Sequence, residues 1–214
     1  ILLGLVGSEM CIRDRDYSLH YIVMALYARR NYYRKDGRCR KSNCRRSSKM
    51  SMRHILALGP DFLTNVQEGD SQPNAVDLRV QDVFKLNDSE FRLEGDNKTH
   101  RGSEKILVDE FGNWNLQPGV YEIVMENIVK IPEGKAGWVI TRSTLNRNGL
   151  FITSGLYDSG YHGVMAGLLH VRGGPAVLQR GSRVGQFLLF DAETLSMYDG
   201  SYGIGKEHDE KYGN

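Results

Sequence analysis

Cysteine is scarce in this sequence, which has three in 214 residues, at positions 11, 39 and 44. Residues 52–214 contain none, so disulfide bonds cannot hold this part of the chain together. A small secreted scaffold stapled by several bridges is thereby excluded. The cysteine usage instead favours a reducing, cytoplasmic location.

Long apolar runs are also missing. A helix that crosses a bilayer needs about 20 apolar residues, whereas the candidate segments, residues 1–6 and 17–27, are much shorter. In a signal peptide the positive charges precede the apolar segment, but here the heavy positive charge follows residues 17–27. We therefore expect no membrane partner.

Net positive charge is absent from most of the chain. Residues 52–214 carry 16 Lys/Arg against 22 Asp/Glu, a net charge of −6, whereas residues 1–51 carry 12 against 4, a net charge of +8. A basic arm of this kind would favour a nucleic-acid or membrane surface. However, residues 5–14 (LVGSEMCIRD) match the in-frame translation of the adapter that transposase-based sequencing libraries attach to DNA. We expect residues 1–51 to be a non-native, disordered extension, the native start to be Met52 or Met50, and no nucleic acid to bind.

From residue 52 onward the apolar runs are short and are broken by Gly, Pro, Asn and Asp, which is typical of an all-β domain. We predict strands over residues 75–80, 105–108, 120–129, 136–141, 150–153, 164–171, 176–179 and 183–190. Residues 87–103 are predicted to be a polar loop. Residues 198–214 form a tail rich in Gly, Tyr and charge, which is either disordered or orders over a ligand.

Two polar segments could carry chemistry. In residues 141–150 (TRSTLNRNGL), two arginines and two hydroxyls follow an apolar strand, and in an extended turn they could converge on phosphate oxygens. In residues 155–163 (GLYDSGYHG), glycines would let backbone amides approach a ligand, Asp158 could activate a water, and Tyr161 could stack on a sugar or base. A solvated basic turn and a plain hairpin are the simpler alternatives.

Two weaker signals are polar residues inside apolar strands. Gln186 lies in residues 181–190 (GSRVGQFLLF), where it either contacts a ligand or satisfies the backbone. Asp77 lies in residues 74–80 (NAVDLRV) beside Arg79. It could help to hold a metal, brace an arginine, or form a local ion pair.

Taken in order, these segments and residues 116–150 (LQPGVYEIVMENIVKIPEGKAGWVITRSTLNRNGL) resemble the dUTPase and dCTP deaminase superfamily, and in particular its dCTP deaminase-like branch. The features that carry the resemblance are a Pro-Gly before a strand, Glu126, Pro132, Gly137-Trp138 and the Arg-Ser-x-Leu-x-Arg layout. The resemblance covers roughly residues 52–214. It implies an all-β fold, a distorted jelly roll or β-barrel of the β-clip, dUTPase-like type. It also implies a homotrimer with three active sites at its subunit interfaces.

The segment 155–163 distinguishes the two activities of this superfamily. A dCTP deaminase is expected to carry a glutamate ten positions after the hairpin aspartate, where it activates water for attack on cytosine C4. That position is Leu168, and residues 164–171 contain no carboxylate. His170 shares the strand face of Leu168 and is the one possible substitute. Since the hairpin otherwise looks like that of a dUTPase, we expect a dUTP diphosphatase that forms dUMP and pyrophosphate.

The resemblance also implies roles for individual residues. Asp158 would be the base for water attack at the α-phosphorus, and Tyr161 would pack against the deoxyribose C2′ and leave no room for a 2′-hydroxyl. Uracil would be read by backbone groups around Gly155. Mg²⁺ would bridge the phosphate oxygens, with Asp77 contacting it through water or acting as a brace. The other predicted substrate-binding residues are Arg142, Ser143, Arg147, Gln186 and, in the closing tail, Lys211 and Tyr212.

Other functions remain open at this point. One is a dCTP deaminase, either monofunctional or taking dCTP through to dUMP. Another is a non-catalytic relative that senses nucleotides or binds a regulatory partner. A third is nucleic-acid binding through residues 29–49, which requires the basic arm to be expressed.

Overall fold

The structure is a computed structural model that describes residues 51–212. The predictions for the basic arm therefore lie outside the described residues and stay predictions, as does the boundary at residue 51. Among residues 51–212, no helix is long and apolar enough to cross a membrane.

The described residues form thirteen strands and a few short helices. The strands are β1 (Met52–Arg53), β2 (Val76–Leu86), β3 (Arg92–Glu94), β4 (Asn97–Thr99), β5 (Ser103–Lys105), β6 (Asn113–Leu116), β7 (Gly119–Lys130), β8 (Lys135–Thr141), β9 (Leu150–Thr153), β10 (Leu156–Tyr157), β11 (His162–Val171), β12 (Ala176–Gln179) and β13 (Arg183–Asp191). The helices are α1 (Ser143–Arg147) and the 3-10 segments Ile55–Ala57, Pro60–Phe62 and Glu207–Tyr212.

Nine strands join one sheet in the order β10-β8-β13-β2-β7-β11-β9, with β1 added to β13 and β5 added to β2. All of these strand pairs are antiparallel. The sheet curls into a half-barrel, and β6–β12 and β3–β4 form two small two-stranded sheets. The predicted all-β, dUTPase-like fold class is confirmed, whereas the homotrimer stays a prediction.

The core lies inside the curl of the large sheet. Its largest fully buried side chains include Trp114 and Phe187. The Trp114 indole N–H donates to the carbonyl of Ile106 at 2.8 Å, so the buried ring leaves no polar atom unpaired. A Cβ on Gly137 would lie 2.2 Å from Cζ of Phe187, so β8 can pass this ring only with glycine at that position. Core packing thus accounts for Gly137 in the Gly137-Trp138 pair.

Most of the predicted strands are confirmed. Those over residues 120–129, 136–141, 150–153, 164–171, 176–179 and 183–190 fall within β7, β8, β9, β11, β12 and β13. The prediction for residues 75–80 was too short, because β2 continues to Leu86. A bulge between Val80 and Asp82 shifts the register of β2 against β7. This shift breaks the two-residue alternation on which the prediction depended.

Three local predictions were wrong. The strand predicted over residues 105–108 is β5, which ends at Lys105. The polar loop predicted over residues 87–103 contains the exposed hairpin β3–β4. The extended turn predicted after residue 141 is the helix α1, which buries Leu145 against the core. Short polar segments carry little periodicity, so packing decides their conformation.

Candidate active site

Asp77 is the centre of a buried polar cluster. It is 0% exposed on β2, and the register of β13 places Gln186 directly opposite it. One carboxylate oxygen accepts a hydrogen bond from Gln186 Nε2 at 3.0 Å. The other forms an ion pair with Arg142, whose Nε lies 3.2 Å away, and accepts a hydrogen bond from Arg183 at 3.3 Å. A buried carboxylate is tolerated only when it is paired, so Asp77 and the two arginines fix one another. We call Asp77, Arg142, Arg183 and Gln186 the Asp77 cluster.

Arg183 was missed by the sequence analysis, although it lies in the segment that contains Gln186. Residues three apart on a regular strand face opposite sides of the sheet. A bulge between Arg183 and Gly185 shifts the register against β2, so Arg183 and Gln186 both reach Asp77. Strict alternation could not have placed these two side chains together.

Arg79 does not form the local ion pair with Asp77 that was one of the alternatives. Its guanidinium group instead contacts Asp70, with the shortest distance at 2.7 Å, and Asp70 is also 0% exposed. The hydrogen bonds that Arg79 donates to the Asp70 carboxylate are the largest cause that raises the pKa of Arg79. Arg79 also donates to the carbonyl of Gly181 at 2.8 Å, which ties the start of β13 to β2. Two buried carboxylates thus orient separate arginines at this end of the sheet.

Ser143 and Arg147 lie on α1, immediately beyond Arg142. Both side chains are exposed, whereas Leu145 between them is buried. Gly149 ends this segment with a φ of +77°, and a Cβ there would lie 2.6 Å from the carbonyl oxygen of Arg172. The buried Leu145 therefore anchors α1 to the core. Its polar residues are exposed, directly after Arg142 of the Asp77 cluster.

The hairpin, residues 155–163, begins where β10 pairs with β8. Trp138 lies opposite Leu156, and Gly137 lies opposite Tyr157. Asp158 follows and is exposed. The next residue, Ser159, is buried, and its hydroxyl is hydrogen-bonded to the Thr194 hydroxyl at 2.6 Å. The turn is thus anchored through Ser159, and this leaves the Asp158 carboxylate at the surface.

Tyr161 lies inside the hairpin and is only 6% exposed. Its hydroxyl donates to the carbonyl of Val164 at 2.7 Å, and its ring packs edge-on against Tyr157 and Tyr198. Burial is the main cause that raises the pKa of the Tyr161 phenol, so the side chain is neutral at physiological pH. The ring is a fixed apolar wall rather than a charged group.

A cavity of about 830 Å³ adjoins the hairpin. Gly155, Tyr161 and Leu168 line one side, and Glu122 of β7 lines another. A Cβ added at Gly155 would meet nothing within 4 Å, so its backbone faces open space. The cavity has the size and the largely apolar lining of a small-molecule site.

The tail, which is described to Tyr212, packs against the hairpin of its own chain. The backbone N–H of Tyr198 donates to the carbonyl of Ser159 at 2.7 Å, and that of Ile204 donates to the carbonyl of His162 at 2.9 Å. At the end of the tail, Lys211 and Tyr212 line the cavity. The tail therefore covers the hairpin cavity in the structure.

The predicted site residues fall into two groups at opposite ends of β8. Arg142 follows the end of β8 that carries the Asp77 cluster, whereas Gly137, five residues earlier, pairs with the residue before Asp158. At about 3.3 Å per residue, the Cα atoms of Asp158 and Arg142 lie about 17 Å or more apart. Within one chain, the structure brings Asp77, Arg142 and Gln186 together, with Ser143 and Arg147 beside them. It brings Gly155, Tyr161, Lys211 and Tyr212 together around the cavity, whereas Asp158 lines a neighbouring pocket that shares Leu156 and Tyr198 with the cavity. It does not join the hairpin residues to the Asp77 cluster.

Residues 48–192 match a family model whose description is dCTP deaminase-like. The chain belongs to this family. Two archaeal relatives are each named a probable deoxyuridine 5′-triphosphate nucleotidohydrolase. The Halobacterium salinarum protein is 34% identical over 147 residues, which are 66% of this chain and 88% of the relative. The Aeropyrum pernix protein is 31% identical over 156 residues, which are 72% of this chain and 96% of the relative.

A solved structure of the same fold is the 2′-deoxycytidine 5′-triphosphate deaminase from Agrobacterium tumefaciens. The match has a TM-score of 0.54 and 18% identity, and it covers 69% of this chain. The chain spans half the length of that deaminase, 50%. This likeness supports the fold that the dCTP deaminase-like family assignment implies.

In this dCTP deaminase-like chain, Leu168 lies opposite Glu122 on β7 and opposite Thr153 on β9. Because β11 contains no Asp or Glu, no carboxylate enters the cavity from this strand. His170, the possible substitute, is not among the cavity-lining residues. Its ring stacks on Phe151 with centroids 4.3 Å apart, and its pKa is lowered, mainly by burial.

Residues 51–212 contain no group of three or more His, Cys, Asp and Glu side chains that could hold a metal ion. Asp77 in particular already faces two guanidinium groups. Their positive charge opposes a cation, and the geometry fits the predicted role of a brace better than that of a metal ligand.

Proposed function

We propose that this protein is a dUTP diphosphatase, which hydrolyses dUTP to dUMP and pyrophosphate. The observation that carries the proposal is the combination of the Asp158–Tyr161 hairpin with Leu168 at the place of the deaminase glutamate. The archaeal relatives, which are named as nucleotidohydrolases of deoxyuridine triphosphate, support the same activity. At the other end of β8, the arginines of the Asp77 cluster would supply the positive charge that binds a triphosphate.

The two groups of residues form one site only if a second copy of the chain supplies one of them. Asp158 and Arg142 lie about 17 Å or more apart along β8, too far for both side chains to contact one α-phosphate. A symmetric ring of three copies would place the hairpin of each copy beside the Asp77 cluster of a neighbour and create three equal sites. We therefore propose the homotrimer as the active form.

The hairpin would recognise the deoxyuridine part of the substrate. The Gly155 backbone faces the open cavity, where it would read uracil. The Tyr161 ring would pack against the deoxyribose C2′, and its hydroxyl is already committed to Val164. A ribonucleotide would bring a hydroxyl into this filled, apolar space, where it would be both crowded and unpaired.

The cleavage step would use Asp158 as the general base. Its carboxylate would take a proton from a water that attacks the α-phosphorus, and the bond from that phosphorus to the bridging oxygen would break as pyrophosphate leaves. The guanidinium groups of Arg142 and Arg147 and the Ser143 hydroxyl would stabilise charge on the phosphate oxygens. Gln186 would hold Asp77 in place or contact the same oxygens. In such reactions, positioning and charge neutralisation provide most of the rate enhancement.

Mg²⁺ would enter the site as the counter-ion of the triphosphate, that is, as part of the substrate. The Asp77 cluster does not fit a protein-held metal, for the reason given above. This proposal predicts that turnover requires Mg²⁺ in proportion to the nucleotide. Titration calorimetry should detect no tight Mg²⁺ site in the protein without nucleotide.

Product analysis tests the proposed function. Purified protein is incubated with dUTP, dCTP, dTTP and UTP in turn, and nucleoside monophosphate, pyrophosphate and ammonia are measured. We expect dUMP and pyrophosphate from dUTP, little product from UTP, and no ammonia from dCTP. Release of ammonia from dCTP would favour the deaminase instead, and no reaction with any nucleotide would favour a non-catalytic, nucleotide-sensing relative.

A further inference from the structure

Glu122 is a cavity residue with no part in the motifs described above. Its neighbours on β7, Tyr121 and Ile123, are buried in the core, so the Glu122 side chain lies on the other face of the sheet. Its side chain is 13% exposed. A carboxylate this well covered needs partners.

The partners of Glu122 come mainly from the tail. One carboxylate oxygen accepts from Lys211 Nζ at 2.8 Å and from the Ser103 hydroxyl at 3.1 Å. The other accepts from the Tyr212 hydroxyl. Both oxygens are thus engaged, and two of the three donors are consecutive residues of the tail.

Phe84 strengthens the same contact. This residue of β2 lies opposite Glu122 in the strand register. The Tyr212 ring packs edge-on against the Phe84 ring with centroids 6.0 Å apart, and Lys211 Nζ lies 5.8 Å from the same ring. Glu122 and Phe84 therefore define where the end of the tail lies over the cavity.

We propose that Glu122 is a positioning residue, which holds Lys211 and Tyr212 at the hairpin cavity so that the tail closes over the nucleotide in one place. This inference rests on the proposed function, because Lys211 and Tyr212 are predicted to contact the substrate. Without the carboxylate, the Lys211 ammonium and the Tyr212 hydroxyl lose their shared partner. The main core of the sheet keeps its packing, because Tyr121, Ile123 and Met125 of β7 lie on the face opposite Glu122.

A proteolysis experiment tests the contact without any nucleotide. Trypsin cuts after Lys206 and Lys211, and mass spectrometry follows these two cuts in the wild type, in Glu122→Ala and in Glu122→Gln. Glu104→Ala, which removes an exposed carboxylate from neighbouring β5, is the matched control. We expect cleavage of the tail to be about tenfold faster in Glu122→Ala, the size expected for the loss of a charge-assisted hydrogen bond. Glu122→Gln, which keeps an acceptor for Tyr212, should lie between Glu122→Ala and the control.

Steady-state kinetics with dUTP then tests the effect on the reaction. We expect Glu122→Ala to raise KM about tenfold while kcat stays within about threefold of the wild type, because the tail must be ordered at each binding event. Adding Tyr212→Phe to Glu122→Ala should change KM little further, since both changes break the same contact.

The two experiments separate the possible failures. Equal tail cleavage in Glu122→Ala, Glu104→Ala and the wild type would overturn the inference, whether or not dUTP is hydrolysed. A wild type that leaves dUTP intact, with a tail that still depends on Glu122, would overturn the proposed function and keep the contact. Rapid dUTP hydrolysis with an unchanged KM in Glu122→Ala would overturn the positioning role.

Discussion

The two ends of β8 are built in opposite ways. At the end that precedes Arg142, a fully buried carboxylate, Asp77, holds two arginines in fixed positions. At the end near Gly137, the predicted base Asp158 is exposed, and only the turn that carries it is anchored. Under the proposed function, the positive charge that meets the triphosphate would be preorganised, whereas the surroundings of the Asp158 carboxylate would be completed by a neighbouring copy.

The largest expected effect is a loss of turnover from a change at the hairpin end of β8, where Asp158 is exposed. Asp158→Asn should lower kcat for dUTP by about a thousandfold, because a general base contributes on the order of a hundredfold to ten-thousandfold to the rate. Binding of dUTP, measured by calorimetry, and the unfolding temperature should change little, since Asp158 is exposed. Glu193→Gln, an exposed carboxylate beside the same turn, is the control. Unchanged turnover in Asp158→Asn would remove Asp158 from the role of base.

The next effect tests the buried end and should appear in stability. Asp77→Asn keeps the shape of the side chain but leaves two guanidinium groups without an anionic partner. Breaking a buried pair costs about 3 kcal/mol or more, but Arg142 and Arg183 keep 25% and 36% of their side-chain surface in water. Solvent screening reduces the expected loss to about 2 kcal/mol. Urea unfolding of Asp77→Asn and Asp158→Asn should show the loss only in the first, and equal stabilities would contradict the comparison.

A mixing experiment tests whether the two ends belong to one site. Asp158→Asn removes the proposed general base of the hairpin. Arg147→Ala removes an exposed, proposed phosphate-binding side chain at the other end of β8. If neighbouring copies share each site, random mixed trimers contain intact pairs of halves in about one quarter of their sites. Activity should therefore rise at least about tenfold above that of either variant alone after subunit exchange. Mixtures no more active than their components would show that each chain carries its own complete site.

The sequence predicted the two ends of β8 unequally well. The hairpin residues Asp158 and Tyr161 could be predicted together because their spacing in a local motif is short and unbroken, and their roles stay predictions. The Asp77 cluster was found only in part, since the bulge in β13 hid Arg183 from any argument based on alternation. A bulge is a property of the paired strands, and a single strand pattern does not reveal it.

The contact between Glu122 and the tail shows a second limit. Lys211 lies 89 residues from Glu122 along the chain, and neither residue belongs to a periodic pattern that points to the other. Most of the large sheet could be predicted, because buried strands repeat their apolar residues. Helix α1 and the packing of the tail could not, because tertiary contacts with Leu145, Glu122 and Phe84 decide them.

The smallest expected effect concerns pH and the tail. His208 of the tail packs against His100 with ring centroids 4.1 Å apart. The Tyr202 ring also packs against His208, with centroids 4.7 Å apart. Burial is the main cause that lowers the pKa of His208, and the charges of His100, Lys211 and Lys98 add to this, while Glu122 opposes it. The packed tail therefore favours neutral His208. Its contribution is present above the ordinary pKa of 6.5 and is lost as pH falls through the lowered value.

Hydrogen exchange of residues 198–212, corrected for intrinsic rates, measures this effect. Exchange should become a few times faster between pH 7.5 and about pH 5.5, because one partly exposed histidine can shift the equilibrium only modestly. His208→Phe keeps an aromatic ring against His100 and should remove most of the dependence. Asp209 would act in the opposite direction. Its carboxylate accepts the backbone N–H of Gly203 at 2.7 Å. However, its pKa is raised, mainly by burial, so the packed tail favours the protonated form and lower pH would slow exchange through this group. Exchange that speeds up equally in His208→Phe as pH falls would contradict the assignment of the response to His208.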